Sequence, residues 1–345
     1  MSGTSLDGLD LCYVAFTIDQ SWSFEILGTK CVSYTEHWRE TLKNAHTLDR
    51  KKLNALSLEF GRFTAEKVLA FLAETDLPSP DIICSHGHTV FHQPEKKITL
   101  QIGDGHEIAD TTGIKTVSDF RSLDVSLGGQ GAPLVPIGDE LLFSEHAACL
   151  NLGGFSNISF KLDGGRKAFD VCPVNIVLNP LALKLGFEFD KSGELAKSGN
   201  LDIELLKKLN ALSIYESKNR PSLAREWLEE VFTPLIDEAK VSTEDKLRTL
   251  TEHAAVQISK VINYNVKNGS VLVTGGGAKN DFLMERISEL SAAEIVVPEN
   301  EIVEFKEALI FAFLGVLKIR NEINVLNSVT GASRDSCSGV VNIPR

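Results

Sequence analysis

Gly3-Thr4-Ser5-Leu6-Asp7-Gly8-Leu9-Asp10 sets two glycines, two hydroxyls and two carboxylates within eight residues, and the apolar run Leu9–Ile18 follows at once. The pattern reads as a tight polar turn feeding a strand. Glycine lets backbone turn sharply and approach a ligand closely. Successive N–H groups, with the Thr4 and Ser5 hydroxyls, can cradle an anion. Asp7 or Asp10 would then suit the metal that accompanies a polyphosphate. No Gly-Lys-Ser/Thr ending is present, so this is not a Walker loop. A plain Gly/Asp/Ser turn is the competing reading of the stretch by itself.

The 345 residues, 43% hydrophobic and 24% charged, suit one large or two medium domains. The net charge of −12 argues against a general nucleic-acid binder and against an anionic membrane surface. It leaves room for a nucleotide site built from backbone amides and a few local cations. Six cysteines are scattered with no CxxC spacing, as expected of buried small hydrophobes in a reducing compartment. With no signal-peptide pattern and no membrane-length apolar run, the cytoplasm is the expected location.

Along the chain, Leu9–Ile18 and Ser23–Val32 flank Asp19-Gln20-Ser21 as a β-hairpin. Apolar spacing predicts a long helix over Leu53–Thr75. A short strand, Asp81–Ser85, runs into His86-Gly87-His88-Thr89-Val90, where structural or strand-end histidines are favoured over a metal site. After the strand Lys115–Ser118 come Asp119-Phe120-Arg121 and the glycine-proline loop Leu127–Pro136. The same grammar then restarts. Leu150-Asn151-Leu152-Gly153-Gly154-Phe155-Ser156-Asn157 reads as strand, glycine turn and strand, mirroring the opening stretch. Ala168–Asp170 ends the next strand, and helices are expected over 176–185, 225–240 and 246–268. Val271–Thr274 leads into Gly275-Gly276-Gly277-Ala278-Lys279-Asn280 and a helix from Asp281, whose N-terminus should offer free N–H groups.

The repeated glycine hairpins imply an α/β chain of two domains: residues 1–140, with 321–345 packing back on them, and residues 141–320. The two hairpins would clamp the β- and γ-phosphates of a nucleotide. The triple glycine would let a flat base or ribose lie on backbone. Asp170, at a strand end before Pro173, is either a helix N-cap or a catalytic base. Phosphoryl transfer needs one base to orient the nucleophile, and Asp170 fits that need.

These motifs together resemble the anhydro-N-acetylmuramic acid kinase family, of the sugar kinase, actin and heat-shock ATPase superfamily. The matching stretches are Met1–Gly8, His86–Val90, Asp119–Arg121, Leu127–Pro136, Asn151–Gly154, Gly275–Gly277 and Ser328–Ser333, in order over almost the whole chain. The resemblance implies two RNase H-like (actin-like ATPase) domains flanking a cleft. It also implies ATP-dependent hydrolytic opening and phosphorylation of 1,6-anhydro-N-acetylmuramic acid in peptidoglycan recycling. Asp170 would activate water. Gly3, Thr4, Ser5, Leu6, Asp7, Gly8, Leu9 and Asp10 would bind ATP together with Gly153, Gly154, Gly275, Gly276 and Gly277, with Asp7 near Mg²⁺. His88, Thr89, Arg121 and Glu307 would face the sugar, and Arg121 would polarise the departing oxygen or hold phosphate. Family habit suggests a homodimer; no nucleic-acid or membrane partner is expected.

Three departures stand out. The family's Asp-Thr-Gly-Pro-Gly-Asn is here Asp170-Val171-Cys172-Pro173-Val174-Asn175, and its His-Gly-Gln-Thr carries His88 for glutamine. The fold also calls for a strand ahead of Met1-Ser2-Gly3. Two other readings stay open: an ATP-binding scaffold without turnover, and another sugar kinase of the superfamily.

Overall fold

In the computed structural model, which describes residues 1–3, 6–216, 223 and 225–345, the chain divides into two compact units. One is Met1–Leu142 with Phe305–Arg345; the other is Phe143–Glu304. The chain is mixed α/β throughout.

The first unit opens on a hairpin of β1 (Gly8–Ile18) and β2 (Trp22–Ser33), in register from Gly8↔Ser33 to Ile18↔Trp22 with one shift at Tyr13/Val14. The helix Arg50–Thr75 packs on it, started by the Asp49 carboxylate, which accepts the Lys52 N–H. Leu53, Leu56 and Phe60 of that helix meet Leu9, Leu11, Tyr34 and Trp38 in one core. Each such side chain contributes about 1.5–3 kcal/mol when fully buried. Next come β3 (Ile83–Cys84), the antiparallel pair β4 (His88–Gln93) and β5 (Ile98–Ile102), and β6 (Thr116–Ser118). β3 runs parallel to β6, and the late strand Val340–Asn342 pairs antiparallel with β6. Residues 305–320 lie in this unit, where Lys306 forms a buried ion pair with Asp139 at 2.6 Å.

The second unit carries one five-stranded sheet of β7 (Ala148–Leu152), β8 (Phe155–Leu162), β9 (Gly165–Pro173), β10 (Ser270–Thr274) and β11 (Glu294–Val296), in the order β11-β10-β7-β8-β9. β7, β8 and β9 form an antiparallel meander, whereas β10 and β11 run parallel to β7. This is the RNase H-like order. Its apolar face is covered by the helices Asn175–Lys184 and Thr243–Asn265, through Val177, Leu181, Leu250, Ala254 and Ile258.

Among the described residues the strands of the first unit form three smaller sheets. In the second unit β7 joins the meander to the parallel strands. In the first, the corresponding contact to the hairpin is made by two residues: Ser2 bridges Leu9, and Met1 and Asp10 exchange N–H···O bonds of 2.7 and 2.8 Å. Among the described residues the hairpin and the β3–β6 pair therefore stay separate sheets.

Two expected elements differ. The helix expected over 225–240 is helical at Arg225–Trp227, widens into a π turn at Leu228–Phe232 and resumes at Thr233–Glu238. Pro234 explains the break, since it has no N–H to donate and its ring crowds the preceding turn. β9 also runs beyond Asp170 to Pro173, and the N-cap of the next helix is Val174. Asp170 is thus a strand residue, and the helix-cap reading is excluded.

Candidate functional site

In the first unit, the polar turn that follows Met1–Ser2 holds Leu6 at φ 61° before β1 begins. Thr4 and Ser5 lie outside the described residues. Asp7 is exposed, and its carbonyl accepts the Tyr34 N–H. Gly8 is demanded by pairing, because a Cβ there would sit 2.6 Å from the Val32 carbonyl oxygen. Leu9 is core and Asp10 is half-buried. Gly3 is also half-buried, and its carbonyl accepts the Leu6 N–H.

Ser2 ties this turn to the histidine stretch. Tyr34 donates its hydroxyl proton to Ser2 Oγ at 2.7 Å, and Ser2 Oγ lies 3.0 Å from His88 Nδ1. All three groups are satisfied when Ser2 donates to Nδ1, which leaves the His88 proton on Nε2. Burial pulls the His88 pKa down to about 4, so the ring is neutral near pH 7. Thr89, the next residue of β4, accepts from Gln101.

Arg121 precedes the short helix Ser122–Ser126. Its Nε–H donates to His86 Nε2 at 3.0 Å, and its Nη1 donates to the Gly131 carbonyl at 2.7 Å. Glu307, on the helix Asn300–Ile319, is reached by solvent but crowded by protein. Crowding raises its pKa, and the positive charge of Arg121 pulls it back down. Burial lowers the Arg121 pKa, and the Glu307 charge opposes that. His88, Arg121 and Glu307 are thereby gathered on one unit with the glycine turn.

The loop Leu127–Pro136 is held from beneath by Asp124, which is fully buried. Its carboxylate accepts the Gly131 N–H at 2.7 Å and the Thr330 hydroxyl at 2.7 Å. The Gln130 N–H donates to the Thr330 carbonyl, and the Ser333 N–H to that of Leu127. Two motifs two hundred residues apart are thus one structure. Gly131, at φ 67°, has room for no Cβ, which would lie 2.6 Å from Val125 Cγ2.

In the second unit, Gly153 and Gly154 form the β7–β8 tip, and Gly154 is exposed. Their carbonyls receive the Asn175, Val174 and Ile176 N–H groups, which locks the start of the next helix to the tip. Asp170 pairs with Asn157 beside a bulge. Burial raises its pKa, while the bond from the Leu223 N–H to its Oδ2 at 2.9 Å works against the rise. A carboxylate so placed holds a proton more readily than an exposed one, as a general base must. The residues that depart from the family pattern turn inward. Cys172 and Val174 are fully buried, and the Cys172 thiol meets Ser156 Oγ at 3.3 Å.

The triple glycine divides its labour. A Cβ on Gly275 (φ 85°) would strike Asn151 and Leu152, and one on Gly277 would strike Leu152. Both glycines let the end of β10 close on β7. Gly276 is exposed and lines a cavity of about 520 Å³ together with Asn175, Asn179, Phe189, Asp190, Lys191, Ser192, Lys279 and Asn280. At the expected helix N-terminus one N–H is taken by a side chain. A 3₁₀ turn, Gly276–Lys279, intervenes, and Asn280 caps the helix Asp281–Leu290 by accepting the Leu283 N–H at 3.0 Å.

Sequence reasoning missed Tyr34, Ser2 and the Phe189–Ser192 wall. Asp190 could have been suspected, since an acid followed by Lys-Ser-Gly suits a helix entry; its carboxylate caps Leu195 and Ala196. Among the described residues no group of three His, Cys, Asp or Glu side chains is placed to hold a metal by itself, and no helix is long and apolar enough to cross a membrane.

The profile of the family described as anhydro-N-acetylmuramic acid kinase matches residues 1–344. The chain is similar to the anhydro-N-acetylmuramic acid kinase of Mannheimia succiniciproducens, at 35% identity over 99% of this chain and 97% of that one. It is equally similar to that of Vibrio cholerae serotype O1, at 35% identity over 100% of this chain and 97% of its relative. Among solved structures, component A of the Acidaminococcus fermentans (R)-2-hydroxyglutaryl-CoA dehydratase aligns with TM-score 0.42 and 13% identity, over 87% of this chain and 95% of that one.

Proposed function

Since the chain belongs to the anhydro-N-acetylmuramic acid kinase family, we propose that it opens 1,6-anhydro-N-acetylmuramic acid with water and transfers the γ-phosphoryl group of ATP to the freed O6. The products are N-acetylmuramic acid 6-phosphate and ADP, and the role is in peptidoglycan recycling. The observation that carries this reading is the match of the family over residues 1–344. The site residues fit it.

Asp170, with its raised proton affinity, takes a proton from the attacking water. The water oxygen bonds to the anomeric carbon as the C1–O6 bond breaks. Arg121 meets the negative charge that develops on O6, a task for which a fixed guanidinium suits. Glu307, His88 and Thr89 orient the sugar hydroxyls and amide. Within Gly3–Asp10 the turn ahead of β1 is the part assigned to phosphate, since the Leu6 and Asp10 N–H groups are taken by the Gly3 and Met1 carbonyls. The Gly153-Gly154 tip of the second unit, with Gly154 exposed, is assigned the same class of ligand. The cavity beside Gly276 has the size of a small-ligand site, and it receives the nucleoside, with Phe189 as an apolar wall and Asn175 and Lys279 as polar contacts.

Magnesium keeps several waters and needs one or two carboxylates beside phosphate oxygens. The exposed Asp7 carboxylate fits that demand, and the ion would supply neutralising charge to the phosphates. The proposed setting is the cytoplasm. A homodimer rests on family habit, and sedimentation equilibrium checks it. A panel of sugars tests the reaction. ADP release is expected with the anhydro-sugar; release only with reducing N-acetylmuramic acid would exclude ring opening.

A further inference from the structure

We propose that His86 is a positioning residue which fixes the orientation of the Arg121 guanidinium. His86 is 5% exposed and lies against the Phe311 ring, edge to face, with centroids 4.6 Å apart. Its two ring nitrogens have different partners. Nδ1 is 2.9 Å from the Gly87 carbonyl oxygen, which can only accept, so Nδ1 carries the proton. Nε2 is therefore a bare lone pair, and it accepts the Arg121 Nε–H at 3.0 Å. One backbone bond thus fixes the tautomer, and the tautomer fixes the arginine.

The pairing is unusual for an arginine, whose donors commonly go to carboxylates. A carboxylate here would neutralise Arg121. A neutral imidazole leaves the charge intact and still removes rotational freedom. The groups that face this ring keep it neutral. Burial opposes a charge on it, and the Arg121 charge adds to that, against the bond to the Gly87 carbonyl. The second anchor, the bond from Arg121 Nη1 to the Gly131 carbonyl, leaves Nη2 as the terminal nitrogen not engaged by either anchor. The assignment rests on the kinase reading above.

Two substitutions separate the ring's two bonds. His86→Asn can keep the donor to Gly87 but has no atom at the Nε2 position. His86→Gln can place an amide oxygen there. With purified full-length protein, sugar-dependent ADP release should show kcat/KM for the anhydro-sugar about 10²-fold lower for His86→Asn, the cost of a small misplacement. His86→Gln should recover at least about tenfold of that loss. ATP affinity by calorimetry should stay within about twofold in both, since the change is confined to the arginine's orientation. In an Arg121→Lys background, which lacks the Nε–H, His86→Asn should cost little more. Equal losses in the Asn and Gln variants, or full additivity with Arg121→Lys, would overturn the proposal. Parent protein that releases no ADP with the anhydro-sugar would instead refute the kinase reading.

Discussion

Asp170→Asn is expected to lower sugar-dependent ADP release by about 10²–10⁴-fold, the usual loss when a single general base is removed. The substitution is nearly isosteric, and the acceptor for the Leu223 N–H can persist as the amide oxygen. Folding should therefore be unaffected, and ATP binding by calorimetry should match the parent. The pH dependence carries a second part of the expectation. Burial raises the Asp170 pKa, and the Leu223 bond only partly offsets it. The acid limb of kcat should therefore lie above the ordinary aspartate value of about 3.9, with activity falling as pH drops through it. An Asn variant with parental turnover would show that another group takes the proton.

Asp124→Ala is expected to destabilise the first unit by roughly 2–4 kcal/mol, because it strands two buried donors at once. The Gly131 N–H and the Thr330 hydroxyl both end on this carboxylate. Thr330→Val removes one of those bonds and should cost about 1 kcal/mol. The effect reaches the chemistry as well. Gly131 offers its N–H to Asp124 and its carbonyl to Arg121, so slackening the loop also frees the guanidinium. Denaturant unfolding measures the first effect, and kcat/KM for the sugar measures the second. Equal, small losses in both variants would mean that the loop is held by something other than Asp124.

The hairpins were legible because their signals are local. Asp19-Gln20-Ser21 and Gly153-Gly154 interrupt apolar runs, and each lies where the chain reverses. The long helices were legible from periodicity, with boundaries displaced toward the Asp49 and Ser242 caps. What stayed hidden depends on contacts distant in sequence. Nothing near Gly276 distinguishes it from Gly275 and Gly277; the difference is Leu152, on another strand. His86 looked like its neighbour His88, yet one holds Arg121 and the other joins Ser2 and Tyr34. Pro234 was visible in the sequence, but the π turn over Leu228–Phe232, whose two end residues are buried in the core, was not.

In the proposed reaction water opens the anhydro ring before or as O6 takes the phosphoryl group. The most direct measurement is mass spectrometry of the sugar product formed in ¹⁸O-water and quenched within the first turnovers. One heavy oxygen is expected at the anomeric hydroxyl and none in the transferred phosphoryl group. A product with an unlabelled sugar, or with label in the phosphate, would contradict it.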